Sequence, residues 1–151
     1  MVLEWRHEGA PVWDAGKARI VGGAAAGIFR LPASAEGERL PGDWWRVEDG
    51  GAVVAYGWMD TAWGDAEMLL AVDPGHHNRG VGTFVLDRLE HEAANRGINY
   101  LYNVVRATHP DHDRVTAWLE SRSFEGSSDG ILRRRARSAT TRGSRQPSTP
   151  L

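Results

Sequence analysis

Residues 65–92 read DAEMLLAVDPGHHNRGVGTFVLDRLEHE, and the fold turns on this stretch. Residues 66–72 are a short apolar run bounded by Asp73-Pro74-Gly75, the pattern of a buried strand closed by a turn. From Val81 onward the apolar Phe84, Val85, Leu86 and Leu89 recur at helical spacing, while Asp87, Arg88, Glu90 and Glu92 fill the other face. A strand, a glycine-bearing loop and a helix thus follow one another. Residues 76–82 bring backbone N–H groups and the positive end of a helix dipole to one point, which specifies an anion site.

Upstream, residues 44–48 and 52–61 are two strands joined by Asp49-Gly50-Gly51, and Asp-Gly between apolar runs marks a hairpin. Trp63-Gly64-Asp65 turns into the next strand, so three strands form an antiparallel meander. Residues 2–8 are a first strand. Residues 13–30 read as a helix capped by Asp14 that packs closely or bends near Gly22 and Gly23, and residues 31–42 as a loop. The run VGGAAAG lacks the preceding strand and the acidic partner of a dinucleotide-binding motif. Downstream, Gly97 stops the helix, and residues 98–106 form a strand that closes a parallel, right-handed strand-helix-strand unit. A short helix over 113–122 turns Val115, Trp118 and Leu119 inward, and Phe124 and residues 130–134 are short closing strands. The fold class is α/β: a mixed sheet with an antiparallel N-terminal meander, one parallel unit and helices on both faces.

At 151 residues the chain suits one domain, expected over 1–134, with 135–151 a disordered basic tail rich in Ser, Thr, Arg and Pro. The formal charge of −2 hides an asymmetry: residues 133–151 hold six arginines and no acid, leaving 12 basic and 20 acidic residues elsewhere. An acidic body disfavours nucleic acid and anionic membranes and suits a cationic partner. There is no cysteine, which removes disulfides and thiolate chemistry, and the six histidines show no metal-ligand spacing, so no metal is expected. With no apolar run long enough to span a bilayer and a polar N-terminus, a cytoplasmic location is expected.

With these residues in view, the chain resembles the GNAT superfamily of acyl-CoA-dependent N-acyltransferases over about residues 44–134. The resemblance centres on Val72-Asp73-Pro74 followed by His77-Asn78-Arg79-Gly80-Val81-Gly82. The family pattern is Gln or Arg, two free positions, Gly, one free position, then Gly or Ala, after a strand ending in Val-x-Pro. Here His77 takes the Gln/Arg position. The resemblance implies acetyl-CoA as co-substrate, with Gly80 and Gly82 admitting its pyrophosphate and Val81 and Thr83 at the helix start supplying N–H donors. His77, Asn78 and Arg79 add side-chain donors. It also implies a splayed fourth strand, on which Leu70, Ala71 and Val72 flank the thioester and Asn103 holds the pantetheine arm or the acceptor.

The family reaction is direct attack of an amine on the thioester, helped by a general base because a free amine is mostly protonated at neutral pH. Glu67 is the first candidate base, and Asp65 shares its face. The family tyrosine that protonates the leaving thiolate falls on Leu119, and Ser123 replaces a glycine; Tyr102, His109 or water then stand in as acid. Acceptor choice is expected from the N-terminal half, where Trp44, Trp45, Trp58 and Trp63 are conspicuous; they read first as core or interface residues, with an apolar or aromatic acceptor, or a cation held against a ring, as the alternative. Two functions follow from the resemblance: an N-acetyltransferase acting on the primary amine of a small molecule, or a non-catalytic acyl-CoA-binding sensor of the same fold. Homodimerisation stays open.

Overall fold

The computed structural model describes residues 2–24, 35–77, 79–127 and 130–136. Within them, seven strands make one sheet in the order β1-β2-β3-β4-β5-β7-β6. They are β1 Leu3–Glu8, β2 Asp43–Asp49, β3 Ala52–Ala62, β4 Asp65–Val72, β5 Tyr100–Val104, β6 Glu125–Gly126 and β7 Ile131–Arg135. Neighbours are antiparallel except β4 and β5, which run parallel on either side of helix α2, Val81–Asn95. Helices α1, Ala15–Ile20, and α3, His112–Ser121, complete the order. No helix among the described residues is long and apolar enough to cross a membrane.

The meander follows from its turns. Gly50 and Gly51 both take positive φ, +61° and +89°, as a two-residue hairpin requires. Trp63 and Gly64 do the same at the β3–β4 turn, φ +56° and +84°, which leaves the Trp63 ring fully exposed. Alternation along β2 and β3 then separates two cores. Trp45, Val47 and Ala55 join the α2 residues Val85, Leu86 and Leu89 on one face. Trp44, Tyr56 and Trp58 join Ile20 and Val21 on the other. Gly57 sits on the α2 face, where a Cβ would lie 2.7 Å from Val85 Cγ1, so the helix rests directly on the strand there.

Helix α1 is shorter than the 13–30 helix expected from composition. Asp14 caps it as foreseen, accepting from Lys17 N at 2.9 Å. The helix ends at Ile20, and the Val21 and Gly22 amides fold back onto Lys17 O at 2.8 and 2.9 Å. Gly22 allows this close return, since a Cβ there would lie 2.7 Å from Ala18 O. Residues 25–34, which held the rest of that helix and part of the following loop, lie outside the described residues, as do Asn78 and the tail from 137.

Lys17 anchors α1 to the sheet. It is fully buried, bonded to Glu8 Oε1 at 2.7 Å and Asp14 Oδ2 at 3.1 Å, with its ammonium over the rings of Trp44 and Tyr56 at 5.5 and 5.0 Å. Burial, together with the negative Asp14 and Glu8, pushes the Tyr56 phenol well above its ordinary value. Two predictions follow. Lys17→Met leaves the largely buried Glu8 carboxylate without its ammonium and is expected to cost about 3 kcal/mol in urea unfolding, with Glu8→Leu in the same chain restoring most of it. Above pH ~10 an unfolded chain ionises Tyr56 while the folded one keeps the proton, so stability falls as pH rises. Tyr56→Phe should flatten that fall, as measured by unfolding midpoints at pH ~9 and ~11.

Candidate active site

β4 and β5 pair at only two positions, Ala66 with Leu101 and Glu67 with Tyr102. Asn103 Nδ2 then donates to Met68 O at 2.7 Å, and beyond that bond the strands part. β4 continues to Val72 on its β3 side, pairing Leu70 with Gly57, Ala71 with Tyr56 and Val72 with Ala55. β5 is tied on its other edge to β7. An extended edge over residues 69–72 therefore faces β5 without pairing to it. Met68 O and Val72 O point to this edge, accepting from Asn103 and from His77 Nε2 at 3.1 Å. Because backbone groups alternate along a strand, the Leu70 N–H and C=O face the same opening.

At the far end of β4, Asp73 accepts from Gly75 N at 3.4 Å and from Arg19 Nη1 at 2.8 Å. Desolvation works against ionisation, but these bonds outweigh it and hold the carboxyl below its usual range. Pro74–His76 form one 3-10 turn, and Gly80 enters α2 with φ +79°. Only glycine takes that conformation without strain, and the space where a Cβ would point is open. The first helical bond is Phe84 N to Gly80 O, 3.0 Å, and no side chain caps the helix. The N–H groups of Val81, Gly82 and Thr83 thus have no intrahelical acceptor. His77 is exposed and its ring is committed to Val72 O, so it ties the loop to the strand end; Arg79 is exposed beside it.

Glu67 and Tyr102 are register partners at the root of the opening, on one face of the sheet. Burial, and then the charges of Glu67, Asp60 and Asp65, push the Tyr102 phenol above its ordinary value, opposed by Arg133. Asp60 lies directly across the hairpin from Glu67. His109 has a different setting. Its Nδ1 accepts from Asp111 N at 2.9 Å, closing the turn before α3, and burial lowers its pKa against the pull of Asp111. The other charges acting on it, His112 and Arg114, belong to the start of α3. Leu119, at the tyrosine position of the family pattern, is buried in the main core and offers no hydroxyl. Ser123, at the glycine position, takes φ +72°.

The structure therefore gathers Glu67, Tyr102 and Asn103 at the root of the opening, Leu70, Ala71 and Val72 along it, and Gly80, Val81, Gly82 and Thr83 at its end. Three further residues enter the neighbourhood. Asp60 is countable from the hairpin register, as it and Glu67 form the third pair outward from the Trp63-Gly64 turn. Trp118 places its ring 4.0 Å from where a Gly82 Cβ would stand. Arg122 donates from Nη2 to Thr83 Oγ1 at 2.9 Å, a contact between distant segments that no local pattern announces.

The same architecture occurs in solved structures. The ribosomal-protein-S18-alanine N-acetyltransferase of Escherichia coli matches with a TM-score of 0.61 at 18% identity, covering 99% of this chain and 100% of that one. The N-acetylglutamate synthase of Neisseria gonorrhoeae, complexed with coenzyme A and N-acetyl-glutamate, matches with a TM-score of 0.69 at 20% identity, covering 90% of this chain and 35% of that one. A phosphinothricin acetyltransferase of Sinorhizobium meliloti in complex with AcCoA gives a TM-score of 0.52 at 17% identity, covering 66% and 64%. At these identities the likeness is one of fold. No curated protein matches by sequence. The family model "Acetyltransferase (GNAT) family" matches residues 28–124, more than half of the chain and inclusive of the opening, the loop and the start of α2, and so this chain belongs to the GNAT acetyltransferase family.

Proposed function

We propose that the chain is an N-acetyltransferase that moves the acetyl group of acetyl-CoA to the primary amine of a small molecule. The observation that carries the reading is the parting of β4 from β5 beyond Asn103, which leaves a strand edge running from Glu67 and Tyr102 to an uncapped helix start. The fit to acetyl-CoA is chemical at both ends. An amide-bearing arm can pair with the edge at Leu70, as a peptide strand would. A pyrophosphate suits the N–H groups of Val81, Gly82 and Thr83, and Gly80 leaves open space before them.

Acetyl-CoA supplies an activated acyl group, and the side chains manage protons and position. The Leu70 N–H, aimed into the opening, is placed to polarise an acyl carbonyl. Glu67 takes the proton that the ammonium must lose before its nitrogen can attack. As the carbon–nitrogen bond forms and the carbon–sulfur bond breaks, the departing thiolate needs stabilisation. Tyr102, with its pKa raised, is a weaker acid than a thiol of pKa about 8.5, so it donates a hydrogen bond and solvent completes the protonation. His109, closing its own turn, serves the loop before α3 in this reading rather than the proton transfer.

Asp60 and Asp65 beside Glu67 give the root of the opening an acidic character suited to an ammonium group. The similar solved structures include a ribosomal-protein-S18-alanine N-acetyltransferase, an N-acetylglutamate synthase and a phosphinothricin acetyltransferase, so the assay panel spans peptide, amino-acid and other small amines. Two experiments test the proposal. Acetyl-CoA is expected to raise the melting temperature of the native chain and not that of Gly80→Asp, whose side chain brings strain and negative charge to the helix start. In an amine panel followed by thiol release, Glu67→Gln should lower kcat by about 100-fold and Tyr102→Phe by about 10-fold. Tight acetyl-CoA binding with no turnover on any amine would favour the non-catalytic reading, and turnover confined to peptide acceptors would overturn the small-molecule one.

A further inference from the structure

Arg122 follows directly on the last residue of α3, yet its guanidinium reaches the first turn of α2. It donates from Nη2 to Thr83 Oγ1 at 2.9 Å, lies 3.5 Å from Asp87 Oδ1 through Nη1, and stacks over the Trp118 ring at 6.0 Å. Trp118 in turn stands against Gly82. A cation from a distant element is thus fixed at the positive end of a helix whose first turn contains no acid. Electrostatically that is an unfavourable place for it, since the dipole there favours negative charge. The ordinary partner for an arginine near a helix start is an anion, and Asp87, one turn on and well exposed, is only a partial one.

We propose that Arg122 is a phosphate-binding residue, completing the site formed by the Val81, Gly82 and Thr83 N–H groups and contacting the pyrophosphate of acetyl-CoA. This rests on the cofactor reading given above. A guanidinium has five donors in a rigid fork, so the bond to Thr83 and the approach to Asp87 leave donors for a phosphate oxygen. Thr83 aims the fork, Trp118 limits its rotation, and Asp87 holds its charge when no phosphate is present. The departure of residues 119 and 123 from the family pattern is thus accompanied by a cation from the same helix end at the phosphate end of the opening.

Calorimetric titration of the full chain with acetyl-CoA, at two salt concentrations, tests the assignment. Arg122→Gln is expected to weaken binding by about 10- to 100-fold, the loss typical of one charge-assisted hydrogen bond, and to make binding less sensitive to salt. Arg122→Lys, which restores a positive charge, should recover most of the affinity. Asp87→Asn, a change at an exposed position that preserves the fold, should tighten binding about two- to fivefold by removing a competing negative charge. If the native chain does not bind acetyl-CoA, the cofactor reading falls and this proposal with it. If the native chain binds and Arg122→Gln binds within about twofold of it, or Asp87→Asn binds more weakly, the cofactor site stands and Arg122 is not part of it.

Discussion

The end of β4 is held from one side only. Ala66 and Glu67 are paired on both edges, to β3 and to β5, and the strand's last four residues to β3 alone. An unpaired strand edge inside a sheet is costly unless its polar groups find partners. Two bonds mark its limits: Asn103 fills Met68 O at the root, and His77 fills Val72 O at the tip. Between them Leu70 faces the gap. A sheet that had closed fully here would have been more regular and would have had no place for an extended ligand.

The two faces of the sheet are joined at the same place. Arg19 of α1 bonds Asp73 at 2.8 Å and Val53 O at 3.1 Å, so the helix on one face grips the turn that leads to α2 on the other. On the opposite face Trp5 of β1 bonds Glu92 of α2 at 3.2 Å and stacks on Trp45 at 5.5 Å. The glycine loop is therefore braced at its strand end by Arg19, and α2 near its far end by Trp5, while Gly80 at the helix start stands in open space. Pre-organised N–H donors are the useful state of such a loop, since donors that need no rearrangement lose least free energy on binding.

Much of this arrangement was legible because it is written in local patterns. Gly50-Gly51 and Trp63-Gly64 set the hairpins, and hairpin register then places Asp60 opposite Glu67. Helical spacing announced α2, and Gly80 and Gly97 bound it. What the sequence did not show lies in contacts between distant segments. The small residues after Asp14 suit a helix longer than α1, whereas Gly22 serves a tight return onto Lys17 O. Arg122 meeting Thr83, and Lys17 meeting Glu8, depend on how separate elements pack, for which no spacing rule exists. His109, a plausible proton donor by residue type, is engaged by its own turn.

The chain contains 18 Lys and Arg residues, and Lys17 is the sole lysine among them. It is also the one buried charged residue of the described core, shut between Glu8, Asp14, Trp44 and Tyr56. The other 17 of these residues are arginines, whose guanidinium stays protonated and is a poor nucleophile toward a thioester. For a member of an acetyltransferase family this has a chemical meaning: the fold presents no side-chain amine of its own to an activated acetyl group. Its surface can carry positive charge, in the loop, beside α2 and along β7, without becoming a substrate for the reaction it is built to perform.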